Sequence, residues 1–361
     1  MKNKLLIKKT GICLITICTV CSLASCTKND KAAPTPNVPG VVNTPPPGGT
    51  TAVPPQDATV NWTKLSTLND TITVLEVFGH TIYAGSNSNN LYISSDEGAS
   101  WATLKVGNNT DMAITAIKLF NNKLYVGTDN NGIFSSNDGG KTWTNYINNL
   151  VGYPVSSFAE LNNNLYASAE DDGGVLVLNQ ATNNWMPFNN NLPEIITSYD
   201  VFKIVSTGNT LAAAAGVNGT FYFYDFNANQ WVNSYTNRWG IPVTQLIYDK
   251  GSLFAYNTEG KIIRSENNGV SWYYDTLDLQ TTLSSRFYEN GILYAGSIND
   301  YILINQGVKG GWIQHRDRTA PAGSTWATGQ EFLAQMHLNA IAEADNKLFL
   351  GTDNGIYFKV K

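Results

Sequence analysis

Acid and amide side chains crowd a set of short polar breaks in this 361-residue chain: Asp129, Glu170-Asp171-Asp172, Thr258-Glu259, Asn299-Asp300 and Asp353-Asn354. Hydrolysis of a glycosidic bond needs two carboxyl groups roughly 5 to 9.5 Å apart. Glu170, Asp171 and Asp172, set across a funnel from Asp129 or Glu331, are the carboxylates that would serve. The basic complement is small, with Arg238, Arg264, Arg286, Arg316 and Arg318 the whole set of arginines. The longest polar connection, IQHRDRTAPAGSTWATGQEFLAQMH (313 to 337), gathers His315, Arg316, Arg318, Trp326 and Glu331. Connections of that length in a compact domain are usually functional or disordered. A second connection carries Arg238-Trp239 and a third Tyr153. Such aromatic and polar side chains suit sugar hydroxyls or a protein loop, whereas acids in turns also have a plainer role, accepting hydrogen bonds from their own backbone. The three histidines, His80, His315 and His337, are scattered, so no metal site and no cofactor is expected.

These residues belong to the central part of the chain, and its N-terminal end reads differently. MKNKLLIKK carries four lysines and no acid, and the apolar run GICLITICTVCSLA follows. That pattern is a secretory signal, and the run is shorter than the roughly 20 residues a membrane-spanning helix needs. Leu23-Ala24-Ser25-Cys26 resembles a bacterial lipobox, which implies signal removal at residues 1–25 and lipidation of Cys26. The four cysteines all lie at or before Cys26, so the folded part has no disulfide and no cysteine metal site. Residues 26–58 hold eight of the thirteen prolines and no aromatic residue, too little apolar surface to fold. They read as a tether, reaching up to about 90 Å where extended. Loss of the four signal lysines takes the formal charge from −5 to −9, which excludes a nucleic-acid binder.

A beat runs through residues 59–361. Trp62, Trp101, Trp143, Trp185, Trp231, Trp272 and Trp312 are spaced by 39, 42, 42, 46, 41 and 40 residues. Ahead of most of them stands one phrase, as in HTIYAGSNSNNLYISSDEGASW and NKLYVGTDNNGIFSSNDGGKTW. Short aromatic-rich strands alternate with Asn-Gly, Asp-Gly or Gly-Gly breaks, the mark of tight hairpins. A unit of about 42 residues with four strands cannot bury both faces alone. Stacked radially, such units make an all-β fold, a seven-bladed β-propeller of four-stranded antiparallel blades. The last unit, LNAIAEA, KLFLGT and GIYFKV, is one strand short, and VNWTKL (60 to 65) is one strand spare. Pairing the two would close the ring and remove two exposed sheet edges.

Ser94-x-Asp96-x-Gly98-x-x-Trp101 and Ser136-x-Asp138-x-Gly140-x-x-Trp143 match the Asp-box, or bacterial neuraminidase repeat, and the chain resembles the sialidase-like propellers that carry it. Ser265-x-Asn267-x-Gly269-x-x-Trp272 is a near copy. The residues explain themselves without a ligand: the Asp caps its own turn, the glycine takes a positive φ, and the tryptophan packs between blades. The resemblance implies a ligand face opposite the boxes, built from the turns between second and third strands and from the inter-blade loops. It does not bring sialidase chemistry, because three converging arginines and an opening Arg-Ile-Pro phrase are lacking. The fold is also similar to photosystem II assembly-factor propellers, without their arginine patch. The expectation is a monomeric, non-catalytic recognition or scaffolding module, lipid-anchored in a Gram-negative-type envelope and probing a glycan or envelope protein. Its contacts are expected from Tyr153, Arg238, Trp239, Arg316, Arg318, Trp326, Asp171 and Glu331. The alternative is a glycoside hydrolase using carboxylates on that same face.

Overall fold

The computed structural model describes residues 62–360 apart from 66, 109–111, 147–152, 171–172, 193–200, 216–218, 237–242, 250, 258–260, 279–282, 290–291, 298–300, 307–311 and 317–337. From Leu283 to Arg316 only the backbone of the strands is described. The strands form seven four-stranded antiparallel sheets. Sheet 1 is Ile72–Phe78, Thr81–Ser86, Asn90–Ser94 and Ala102–Lys105, and sheet 2 is Ile114–Phe120, Lys123–Thr128, Ile133–Ser136 and Thr144–Tyr146. Sheet 3 is Val155–Leu161, Asn164–Ala169, Gly174–Asn179 and Asn184–Pro187, and sheet 4 is Val201–Ser206, Leu211–Ala215, Thr220–Asp225 and Gln230–Thr236. Sheet 5 is Val243–Asp249, Ser252–Asn257, Lys261–Ser265 and Tyr273–Asp278, and sheet 6 is Leu283–Glu289, Ile292–Ser297, Tyr301–Gln306 and Trp312–Arg316. Sheet 7 is Leu338–Ala344, Lys347–Thr352 and Gly355–Val360, with Thr63–Lys64 as its outer strand.

That outer strand pairs Thr63 with Phe358 and Lys64 with Tyr357, the partnership the spare N-terminal strand predicts. Leu65 N–H donates to Ile356 O at 2.9 Å, and the Lys359 ammonium sits 5.1 Å over the Trp62 ring. The first strand of each sheet lies beside that of the next, and sheet 7 returns to sheet 1. First strands therefore line the axis and fourth strands the rim.

The apolar core is divided between neighbouring sheets. Five tryptophans of the beat pack into the layer shared with the preceding sheet: Trp101 with residues of sheets 1 and 7, Trp143 with sheets 1 and 2, Trp185 with sheets 2 and 3. Trp231 is fully buried between sheets 3 and 4 and donates from Nε1 to Phe188 O at 2.7 Å, while Trp272 packs with sheets 4 and 5. The flat, twisted sheets thus bury both faces only by stacking, as the repeat length requires.

Two local devices bring the first strands together. In all seven, the pairing register shifts at the second residue, leaving one extra residue as a bulge: Thr73, Thr115, Ser156, Phe202, Thr244, Ser284 and Asn339. A bulge bends its strand and releases a residue from the ladder. Thr73 and Thr115 use that release to hydrogen-bond the next sheet, donating from Oγ1 to Ile114 O and, at 2.6 Å, to Val155 O. Glycine in the second strand supplies the clearance. A Cβ on Gly127 would stand 2.8 Å from both Val155 Cγ1 and Val155 O, and one on Gly85 2.5 Å from Ile114 Cγ2.

Candidate functional site

The turns between third and fourth strands, on the face away from the predicted site, are self-contained. The Asp96 carboxylate accepts Ser94 Oγ–H and Ser100 N–H, both at 2.8 Å, while Gly98 N–H donates to Ser94 Oγ at 2.8 Å. Asp138 repeats this with Ser136 Oγ–H at 2.7 Å and Thr142 N–H at 2.9 Å. Asn267 substitutes, accepting Ser271 N–H at 2.9 Å and donating Nδ2–H to Ser271 Oγ at 2.8 Å. The glycine of each turn has φ of 83°, 92° and 87°, and Gly98 abuts Phe349 and Gly140 abuts Leu104 of the preceding sheets. Donors from the Ser100 hydroxyl and backbone, then Ser94, hold Asp96 down at about 2. Donors from the Thr142 hydroxyl and backbone, then Ser136, hold Asp138 lower still. In sheets 3 and 4 Asn179 and Asp225 do the same work as simple Asx turns, accepting from Ala181 and Asn227.

The opposite face is braced by a repeated link. The turn between second and third strands donates a backbone N–H to the residue just before its own first strand: Asn87 to Thr71 O, Asp129 to Ala113 O and Glu170 to Pro154 O, at 2.9 to 3.1 Å. Asp129 also accepts Ala113 N–H at 3.0 Å, and Asn89 Oδ1 accepts Val106 N–H at 3.1 Å. Asp70, in the connection leading into sheet 1, is held by Asn90 Nδ2–H and by Tyr92 O–H at 2.7 Å. Burial opposes its ionisation, but the Asn90, Tyr92 and Ser86 bonds outweigh that and lower its pKa.

Polar residues around these connections are used in packing. Tyr153 is half-buried against the layer between sheets 2 and 3, so its ring is a packing element as well as a surface one. Tyr146 lies in the fourth strand of sheet 2; its hydroxyl meets Lys123 Nζ at 3.0 Å and also Asn183 Nδ2. Asn189, Asn190 and Asn191 tie the sheet 3 connection to Val175 N–H, Asn229 O and Trp231 O. Arg316 is the last residue of the sheet 6 outer strand, its backbone paired with Tyr301. Arg238, Trp239, Arg318, Trp326, Asp171, Glu331 and the lipidation candidate Cys26 lie outside the described residues. Among the described residues no cluster of His, Cys, Asp and Glu is arranged to hold a metal ion.

Sequence reasoning missed the axis. Glu76, Lys118, Glu160 and Lys203 come from the first strands of sheets 1, 2, 3 and 4. Lys118 Nζ lies 3.3 Å from Glu160 Oε2, and Lys203 Nζ donates to Ser156 O of the neighbouring bulge. Glu76 and Lys203 are surrounded by protein yet keep partial solvent contact. Desolvation pushes the Glu76 carboxyl up to about 7 against the pull of Lys118 and Lys203. Desolvation likewise lowers the Lys203 pKa, opposed by Glu170 and Glu76. The signal was present in the sequence: VLEVF, AIKLF, FAEL and FKIV each place one charge inside an otherwise apolar strand.

The family model of the DUF6242 beta propeller domain matches residues 58–320, running through sheet 6 and stopping before Leu338. No curated protein matches the chain. Among solved structures, the chain is similar to the extracellular domain of the putative hybrid two component system BT4673 from B. thetaiotaomicron. The TM-score is 0.63 at 17% identity, over 84% of this chain and 40% of that one. It is also similar to YCF48 bound to D1 peptide, with TM-score 0.63 at 13% identity over 88% and 99%. The computationally designed Ika8 protein gives 0.56 at 13% identity over 85% and 99%. The chain therefore spans 40% of the length of the BT4673 extracellular domain, and at these identities the likeness is one of fold. With nearly three quarters of its residues matched by the family model, the chain belongs to the DUF6242 beta propeller domain family.

Proposed function

We propose that this chain is a non-catalytic recognition or scaffolding propeller, lipid-anchored at Cys26 in a bacterial envelope, that holds a glycan or a protein segment on the face of the second-to-third-strand turns. In this reading all seven sheets, including the one beyond the family match, act as blades of one ring. The observation that carries it is the repeated brace at Asn87, Asp129 and Glu170, which fixes three neighbouring turns before any ligand arrives. Pre-ordered polar groups lose little entropy on binding. The fold likenesses support the reading by analogy: one neighbour is an extracellular domain and another is bound to a peptide.

A glycan array, a set of envelope-derived peptides and a panel of chromogenic glycosides, all presented to the chain from residue 27 onward, test this reading. Binding lost on Trp326→Ala without turnover of any glycoside is the expected result. Turnover abolished by Asp171→Asn or Glu331→Gln would replace it with the hydrolase.

A further inference from the structure

The two faces differ in the apolar surface they leave uncovered. Among the described residues five large apolar side chains are exposed, Met186, Phe226, Val270, Tyr273 and Val360. All five belong to the end of the sheets that carries the turns between third and fourth strands. Phe226 and Val270 lie within such turns of sheets 4 and 5, while Met186 and Tyr273 each follow a tryptophan of the beat as the chain enters an outer strand. Met186 Sδ is 3.7 Å from Nδ2 of Asn179, which opens the sheet 3 turn. Val360 ends the third strand of sheet 7, which runs toward that same end. Single exposed apolar residues are ordinary, but five on one face and none on the braced one need an account. Turn chemistry does not ask for them. Val270 occupies the position filled by Ala99 and Lys141 in the two Asp-boxes, and Phe226 that of Gln180 in the Asx turn of sheet 3. The Phe226 ring is nonetheless fixed, T-shaped against Tyr224 at 4.8 Å.

The chain enters the domain at this same end. Trp62 precedes the closing strand and lies under the Lys359 ammonium, the neighbour of Val360. Whatever is attached upstream of Trp62 therefore leaves beside the exposed apolar groups. We propose that the Asp-box face is a membrane-docking surface, whose five apolar side chains rest on the head-group region of the bilayer that holds the tether. This rests on the lipid-anchored reading of the chain. Among the described residues of these turns the acids Asp96, Glu97, Asp138 and Glu266 outnumber Lys141, so the surface fits a net-neutral phospholipid and not an anionic one. A few apolar side chains bind such an interface weakly from free solution. The tether compensates, because a flexible connection makes the contact intramolecular, at an effective concentration on the order of millimolar. A tether reaching about 90 Å leaves the domain free to stand away from the lipid. Docking brings it down and turns the braced face outward, toward a partner.

The test separates docking from lipidation. The chain from residue 26 onward holds every described residue and one cysteine, Cys26, so its thiol can be coupled to a maleimide lipid in a supported bilayer of phosphatidylcholine and phosphatidylethanolamine. The tether is then fixed whether or not a cell lipidates it. Neutron reflectometry reads the water layer between lipid and protein. A domain lying directly on the head groups is expected. Phe226→Ser combined with Val270→Ser should lower the docked-to-free ratio roughly ten- to a hundred-fold and open a water layer, with the thermal melt unchanged because both residues are exposed. A domain that stands off the bilayer in the parent chain, or lies on it equally in parent and double variant, would overturn the proposal. Mass spectrometry of Cys26 in the chain recovered from membranes decides the anchor separately. Docking with no native lipid on Cys26 retains the surface and removes the anchor, and a lipidated Cys26 with the domain standing off does the reverse.

Discussion

Two sets of carboxyl groups, one at the axis and one on the rim turns, begin from the same chemistry and end on opposite sides of it. Asp96 and Asp138 are fully exposed, yet donors from their own turns pull them to about 2 and below. Glu76 has cationic neighbours, yet enclosure drives it up to about 7. Exposure alone would predict neither, because an acid follows its immediate donors first and its distance from water second. The rim acids serve as local clasps that would work in an isolated hairpin. The axial acid has meaning only when several sheets have assembled.

That contrast implies an ordered set of outcomes. The largest belongs to the rim and is apolar: Trp231→Ala, which empties a fully buried site between sheets 3 and 4, should cost about 3–5 kcal/mol in urea denaturation. Next comes crowding at the hub. Gly127→Ala forces a methyl to within 2.8 Å of Val155 and should cost about 1–3 kcal/mol. The same comparison at the rim is gentler. Gly139 has φ of 73° with open space around it, and the chain already places Glu97 and Asn268 in that turn position at 57°, so Gly139→Asn should change stability by less than about 0.5 kcal/mol. A cost at Gly139 equal to that at Gly127 would break the distinction between hub and rim. The smallest effect at neutral pH is expected from Asp138→Asn, since Asn267 already fills that role in sheet 5. Its consequence lies in acid. A depressed carboxyl contributes stability above its unfolded value of 3.8 that is lost as pH falls below that value through its lowered folded one, and the Asn variant should lack that share of the acid loss when melting is followed from pH 4 down.

The architecture was legible because its signals are periodic. Tryptophans at a 39 to 46 residue spacing, Asn-Gly and Gly-Gly breaks, and a spare strand at Thr63 opposite a short unit ending at Val360 each constrain the fold independently. The turn chemistry of Ser94, Asp96 and Gly98 was legible for the same reason, being contained within a few residues. The axis was not, because each charge is a lone interruption of an apolar strand and its position along the strand differs: Glu76 and Lys118 share a register while Lys203 and Glu160 occupy others. At the connections the limit is of another kind. Tyr146 and Asn189 have the composition of ligand contacts, and only the coordinates reveal that neighbouring sheets already occupy their hydrogen bonds.

Thr63 and Phe358 are neighbours in space although 295 positions separate them along the chain. During synthesis the early strand must wait, unpaired, until nearly the whole polypeptide has been delivered, and its search is among the most distant a chain of this length can make. Completion of the circle is thus expected to be the slow, final event of folding, and the interval before it is when the molecule is most exposed to proteases and to pairing with a second copy of itself.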